Sequence, residues 1–391
     1  MTSDLATTRR RSLGAIQITS VSVFSQWQPF VDGVYTCSGG RSASGFDATL
    51  VRLDTDAGVV GWGEMAPLGS FYDPAFAAGA REALRILAPL VLGLDPREHA
   101  TLTAIVDRHL AGHPYAKSAL DMAAWDAAGI AAGLPLAELL GGRDGTAVPL
   151  YRSVAQGPPQ AMAGCAARYV HDGYRRIQVK VGLDPRDDVE RMAAVADVLP
   201  AGTVVYADAN AAWTPGEARQ FLRATRDLDY VLEQPCADHD ANVTVRAVCD
   251  RPFVLDESID SLAALLRAHR AGLMDGVTLK IARLGGVSRT RLVRDVAVEL
   301  GLQVTVEDTG GAHVDTAAIA HLSLSTPVGA RTHTVDFHHW VTVGNGTGDL
   351  VCEDGTMSAP TGPGLGITVD LDALGDPLFV VDQSSRSVGR G

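Results

Sequence analysis

Five charged residues, Lys180, Asp208, Glu233, Asp256 and Lys280, each end a short run rich in β-branched residues. Three carboxylates gathered at one point repel one another and raise one another's pKa unless a cation joins them. An all-oxygen ligand set of that kind suits Mg²⁺, with Mn²⁺ as the alternative, and leaves coordination sites for substrate and water. A lysine near a cation and partly buried has its pKa lowered toward neutrality, which makes it a usable base. Two such lysines across a carbanion centre would let one remove a proton and the other return it. Removing the proton α to a carboxylate builds a second negative charge on the same oxygens, and a divalent ion there favours the enediolate over the ground state. The chemistry expected is therefore racemisation or 2-epimerisation of a small-molecule carboxylate. The plainer alternatives are helix caps or arginine partners for the carboxylates and surface-lying stems for the lysines.

The elements that would position these residues are VPLYRSV, RRIQVKVG, TVVYADAN, YVLEQP, PFVLDES, GVTLKI, LQVTVED and a weaker run around THTVDF. Their polar ends fall at Ser153, Lys180, Asp208, Glu233, Asp256, Lys280, Glu307 and about Asp336. A spacing of roughly 25 residues matches one strand, one helix and two short loops. Eight such units close a parallel barrel whose strand-end residues share the C-terminal rim. Neighbouring strands lie about 4.8 Å apart, so carboxylates ending the third, fourth and fifth strands converge. An open doubly wound sheet has the same rhythm but would not place charge at nearly every strand end. Ahead of the barrel, residues 17–67 alternate as antiparallel strands, notably ATLVRLDTDAGVVGWGE around the turn Thr55–Gly58. From Pro74 to Gly142 the apolar spacing becomes helical, which makes the N-terminal part α+β. The expected organisation is a capping domain over 1–145, a barrel over 146–342 and a segment over 343–391 that returns to the capping domain.

Composition narrows the partners. The 391 residues carry a net charge of −13, which argues against a nucleic-acid surface. No stretch approaches the run of about 20 apolar residues that a membrane helix needs. Arg9, Arg10 and Arg11 look like a twin-arginine signal, but strand-like alternation follows them instead of an apolar core. The five cysteines are scattered and never spaced CxxC, which points away from disulfides and zinc and toward reduced thiols in a cytoplasmic enzyme. Gly364 and Gly366 form only GxG, so a dinucleotide fingerprint fails, and no nucleophile elbow is present.

The motifs VKVG at Lys180, DAN at Asp208 and Asn210, EQP at Glu233, DES at Asp256 and LKIARLGG at Lys280 occur in one order with GWGE, KSALDMAAWD and GPGLGI. Together they resemble the enolase superfamily, muconate lactonizing subgroup, over nearly the whole chain. The resemblance implies an α/β fold, a (β/α)₇β modified TIM barrel with an α+β capping domain. It also implies Mg²⁺ held by Asp208, Glu233 and Asp256, with Lys180 and Lys280 as opposed acid/base groups, and assembly into a homo-oligomer. Two departures stand out. The family's Lys-x-Lys on strand two reads Gln178-Val179-Lys180, and Glu307 stands where the mandelate racemase subgroup has a histidine. SGGR at 38–41, GHPYAKSALDMAAWD, LEQPC and VEDTGG are most like members acting on proline betaines and hydroxyprolines. Some of those are 2-epimerases, and others dehydrate cis-3-hydroxyproline. A racemase or 2-epimerase is thus the leading expectation, a dehydratase the alternative, and a non-catalytic metal- and ligand-binding protein the third.

Smaller signals complete the expected site. Glu307 and Asp308 would orient Lys280 or bind a substrate ammonium, unless they cap the helix after HVDT. Tyr35, Phe71 and Tyr72 fall where the family's capping loops touch substrate. Trp340 or Phe337 offers a cation–π face. His333, His338 and His339 read as pocket-wall residues ahead of metal ligands.

Overall fold

A computed structural model describes residues 14–383 of the chain; Arg9, Arg10 and Arg11 lie outside the described residues. The N-terminal alternation forms an antiparallel sheet of β1 (Ile18–Pro29), β2 (Gly45–Thr55) and β3 (Val60–Met65). The β2–β3 turn closes at Gly58, whose φ of 74° is a left-handed value that costs glycine little. A small hairpin, Tyr35–Cys37 against Arg41–Ala43, stands between β1 and β2. Helices α1 (Ala77–Val91), α2 (His99–His109) and α3 (Pro114–Ala132) follow. The α1 stripe Ala80, Leu84, Leu87 and Val91 is buried with Val21, Val23, Val51 and Leu53 of the sheet. Strand Phe379–Asp382 adds to the free side of β1, so the last described strand joins the first sheet.

GWGE is explained by packing. A Cβ at Gly61 would sit 2.1 Å from the Ala123 carbonyl oxygen, and one at Gly63 would sit 2.0 Å from that of Ala119. Only glycine lets α3 lie this close to β3. The acidic residues of KSALDMAAWD then clamp distant segments. Asp126 accepts from the Trp62 amide (2.8 Å) and the Leu365 amide (2.7 Å), and Asp121 accepts from the Ser288 amide at 2.9 Å. GPGLGI is thus a turn docked on α3.

The barrel strands are β4 (Tyr151–Val154), β5 (Arg176–Lys180), β6 (Val204–Asp208), β7 (Val231–Glu233), β8 (Phe253–Leu255), β9 (Gly276–Lys280) and β10 (Gln303–Glu307). They pair in sequence order, every neighbour parallel. Their near-continuous burial fits strands covered on both faces. The weak run THTVDF closes the ring without a regular strand. Thr334 bridges Leu150 on one side and Arg331 bridges Val304 on the other, both parallel. This is the (β/α)₇β barrel. Side-chain caps at Asp184, Thr214, Asp238 and Ser261 start four of the outer helices. VPLYRSV is split: Val148–Pro149 pairs antiparallel with Thr356–Met357, and only its second half enters the barrel. No helix of the described residues is long and apolar enough to cross a membrane.

Candidate active site

Strand register brings the charged residues to one rim. Lys180 is the Cα partner of Asp208, Asp208 of Glu233, and Lys280 of Glu307. Asp256 directly follows β8. The two lysines therefore stand on β5 and β9, with the carboxylates on the three strands between them. All are buried. Lys180, Asp208, Asp256, Lys280 and Glu307 line a small cavity of about 40 Å³, together with Tyr35, Tyr72, Gln178, Asn210, Asp308, Phe337 and Trp340. A larger cavity of about 290 Å³ shares Phe30, Tyr35 and Trp340 with it and holds Arg152 and Arg168. Of the charged rim residues, all but Glu233 line the smaller one.

Each carboxylate has a distinct set of partners. Asp208 accepts from Lys180 Nζ (2.5 Å), the Asn210 amide (2.8 Å) and Asn210 Nδ2 (2.9 Å). Asp256 accepts from Arg283 Nη1 (2.5 Å) and Tyr72 Oη (2.8 Å), with Lys280 Nζ at 3.4 Å. Arg283 also donates through Nε to Asp73 (2.9 Å), which ties a capping-domain loop to the rim. Glu233 accepts from Gln178 Nε2 (2.9 Å) and Thr278 Oγ1 (3.0 Å). Lys280 is further paired with Glu307. Tyr35 Oη lies 2.8 Å from Ser153 Oγ.

The electrostatics show a surplus of negative charge. Burial, and then Asp208, Asp256 and Glu307, push the Glu233 carboxyl well above the usual range. Glu257 is pushed up to about 8 by burial and by Asp256 and Asp208, and its buried Oε2 has no hydrogen-bond partner. Asp256 goes the other way: burial raises its pKa, but Arg283 and Lys280 outweigh that and hold it at about 2. An all-oxygen cluster with one orphaned oxygen and one carboxyl this strained fits a hard divalent cation.

With the rim carboxylates at their full charge, the lysine pKa values shift upward. Burial does lower them, but Asp208 raises Lys180, and Asp256 and Glu307 raise Lys280, each to a net value above the ordinary one. The physical reason is direct contact: both ammonium groups touch carboxylates, which stabilise their charged forms.

Of the remaining expectations, Tyr35, Tyr72, Gln178, Asn210, Glu307 and Asp308 all line the cavity. Asp308 accepts from the Ala282 and Thr309 amides instead of capping the helix after HVDT, whose N-terminus has no side-chain cap. Phe71 does not belong to the site; it lies with Gly69 and Phe76 on a separate, more open cavity. His333 is also outside it, buried between the rings of Tyr151 and Tyr206.

Residue-by-residue reading missed Arg283, Glu257, Gln234 and Ser38. Arg283 lies within LKIARLGG and Glu257 within DES, so the motifs contained them, but their partners are set by the barrel. Gln234 Oε1 accepts from the Asp256 amide at 2.9 Å, while Ser38 donates to the Asp208 carbonyl oxygen at 3.1 Å. Gln234 at φ 35° and Asn210 at φ 42° hold unfavourable left-handed backbone one and two residues beyond a rim carboxylate. Such strain persists where surrounding bonds over-determine a site.

Two family models match the chain. "Mandelate racemase / muconate lactonizing enzyme, N-terminal domain" covers residues 18–141, and "Enolase C-terminal domain-like" covers 161–373. The chain belongs to the mandelate racemase/muconate lactonizing enzyme family of the enolase superfamily. It is 40% identical to a cis-3-hydroxy-L-proline dehydratase of Roseibium aggregatum, across 93% of this chain and 99% of that protein. It is 28% identical to a hydrophobic dipeptide epimerase of Enterococcus faecalis, across 74% of this chain and 85% of the relative. A mandelate racemase/muconate lactonizing enzyme structure from Roseovarius nubinhibens ISM, complexed with magnesium, superposes with a TM-score of 0.91 at 39% identity, covering 93% of this chain and 100% of that one. This chain's relatives include a dehydratase, an epimerase and a racemase.

Proposed function

We propose that this protein dehydrates a cis-3-hydroxyproline-type acid, with Lys180 and Lys280 as the proton-transfer groups and Asp208, Glu233 and Asp256 as the ligands of Mg²⁺. The observation that carries the reading is the placement of two buried ammonium groups on β5 and β9, on either side of the carboxylate strands. In a cis-3-hydroxyproline the hydroxyl and the carboxylate share a ring face, so the α-hydrogen and the hydroxyl lie on opposite faces. One lysine, as the free amine, takes the α-proton; the other, as the ammonium, hands a proton to the departing hydroxyl. The C2–H and C3–O bonds break, a C2–C3 double bond forms and water leaves. The enamine then tautomerises to a pyrroline carboxylate. Bound at the three carboxylates, Mg²⁺ would draw their charge away from the ammonium groups and act as a Lewis acid on the substrate carboxylate. The 40% identity to a cis-3-hydroxy-L-proline dehydratase along nearly the full length supports the substrate class.

The same pair of lysines can act on a single carbon from its two faces, which keeps 2-epimerisation as the second reading. Proton NMR in D₂O with Mg²⁺ separates the two, using proline, its betaine and the 3- and 4-hydroxyproline isomers as substrates. Loss of the C3 carbinol resonance with growth of a pyrroline product is the expected result. Exchange or inversion at C2 with the hydroxyl intact would instead establish the epimerase. EDTA and Lys280→Ala should abolish either reaction. If no substrate of the panel changes, the proposal fails.

A further inference from the structure

Outside the carboxylate cavity, a second group of potential ligands meets beside the segment that closes the barrel. His338 and His339 lie in the turn Phe337–His339, and Cys352 begins the short strand Cys352–Glu353. One ligand atom from each lies within 4.8 Å of the other two, and Cys352 Sγ is 4.0 Å from His338 Nε2. Asp336 Oδ2 is 3.1 Å from His339 Nδ1. A carboxylate in that position takes the Nδ1 hydrogen bond, fixes the tautomer and leaves the Nε2 lone pair for a metal. His338 is buried with its Nδ1 unpartnered, and burial holds its pKa at about 3, so its imidazole is neutral at ordinary pH. His339 and Cys352 also line a cavity of about 330 Å³, which offers an ion a route in.

We propose that His338, His339 and Cys352 form a binding site for a thiophilic divalent cation such as Zn²⁺, with a fourth position open toward the cavity. Two imidazoles and a thiolate favour Zn²⁺ over Mg²⁺ on donor softness, which separates this site from the all-oxygen rim. Binding breaks the Cys352 S–H bond and forms a sulfur–metal bond; the proton leaves to solvent and no electron moves. Burial, and then Asp336, push the free thiol up to about 12, so the proton is held tightly until an ion replaces it. Asp336 Oδ2 also accepts from Tyr174 Oη at 2.8 Å, and Arg152 Nη1 lies 3.6 Å from Asp336 Oδ1. The absence of CxxC spacing pointed away from zinc in the sequence; the fold assembles the ligands from a turn and a strand start instead.

Co²⁺ titrated into the reduced full-length protein, with Mg²⁺ in excess to occupy oxygen sites, tests this directly. The expected result is one Co²⁺ per chain with a thiolate-to-cobalt charge-transfer band, displaced by Zn²⁺. Cys352→Ser should remove the band, and Cys352→Ser and His339→Gln should each weaken binding at least about tenfold. Circular dichroism of each variant checks that its fold is retained. No binding, binding without a charge-transfer band, or a band that persists in Cys352→Ser would overturn the proposal.

Discussion

Glu233 is caught between two demands. Gln178 and Thr278 hold it in place, while burial and the neighbouring carboxylates make its charge costly. Glu233→Gln keeps the shape and removes the charge. Without divalent ion the variant is expected to be more stable than the parent by about 1 kcal/mol, the usual gain when a functional site is relaxed. It should also lose most of the rise in Tm that Mg²⁺ gives the parent, because that rise reflects binding to the folded state alone. Thermal melts with and without Mg²⁺ check both expectations. A Mg²⁺ response equal to the parent's would remove Glu233 from the ligand set. Gln178 belongs to the same contact: a lysine there, as in the usual family motif, would face Glu233 with a cation, whereas the glutamine donates a neutral hydrogen bond.

At the scale of elements, the capping sheet and α3 meet through the two glycines of GWGE. Gly63→Ala would force a Cβ onto the Ala119 carbonyl oxygen, a backbone atom that cannot swing aside. The expected cost is roughly 2 kcal/mol or more, since overpacking at a fixed contact displaces whole elements. Urea unfolding measures it, and a loss below about 0.5 kcal/mol would mean that α3 slides freely along β3. Asp121 and Asp126 sit on the same helix and fasten the first turn of the helix Val287–Glu299 at Ser288 and the turn at Leu365. One helix thus holds both the start of the helix that follows LKIARLGG and the turn of GPGLGI, which gives KSALDMAAWD a structural role away from the rim.

For the whole molecule, buried histidines contribute to the response to acid. His333 has its pKa lowered to about 3 by burial and by Arg176, against 6.5 in the unfolded chain. Between those values the unfolded state takes up a proton that the folded state refuses, so its contribution to stability is complete above pH 6.5 and is lost as pH falls toward 3. The slope is about 1.4 kcal/mol per pH unit for one such group. His333→Phe keeps an aromatic ring between Tyr151 and Tyr206 and cannot titrate. Denaturant unfolding at a series of pH values should therefore show the parent losing stability more steeply than the variant below pH 6.5. Parallel curves would place the imidazole in contact with water in the native state.

The barrel rhythm and the rim residues were legible in the sequence because both are local. A parallel strand buried on both faces must be apolar throughout, so a charged residue ending it marks the rim, and register with its neighbour follows from strand length. Lys180, Asp208, Glu233, Asp256 and Lys280 could be read on that basis, as could the turn at Gly58. The closing strand was faint because it is made by bridges at Thr334 and Arg331 rather than by a ladder. Long-range pairing was invisible. Arg283 bridging Asp73 and Asp256, Ser38 reaching the Asp208 backbone, and Cys352 beside His338 join residues whose chain separation carries no periodic signal. The direction of the lysine pKa shifts also depended on tertiary structure. Sequence supplied the groups, but which charge lies in contact with each ammonium is decided only when the strands close into a ring.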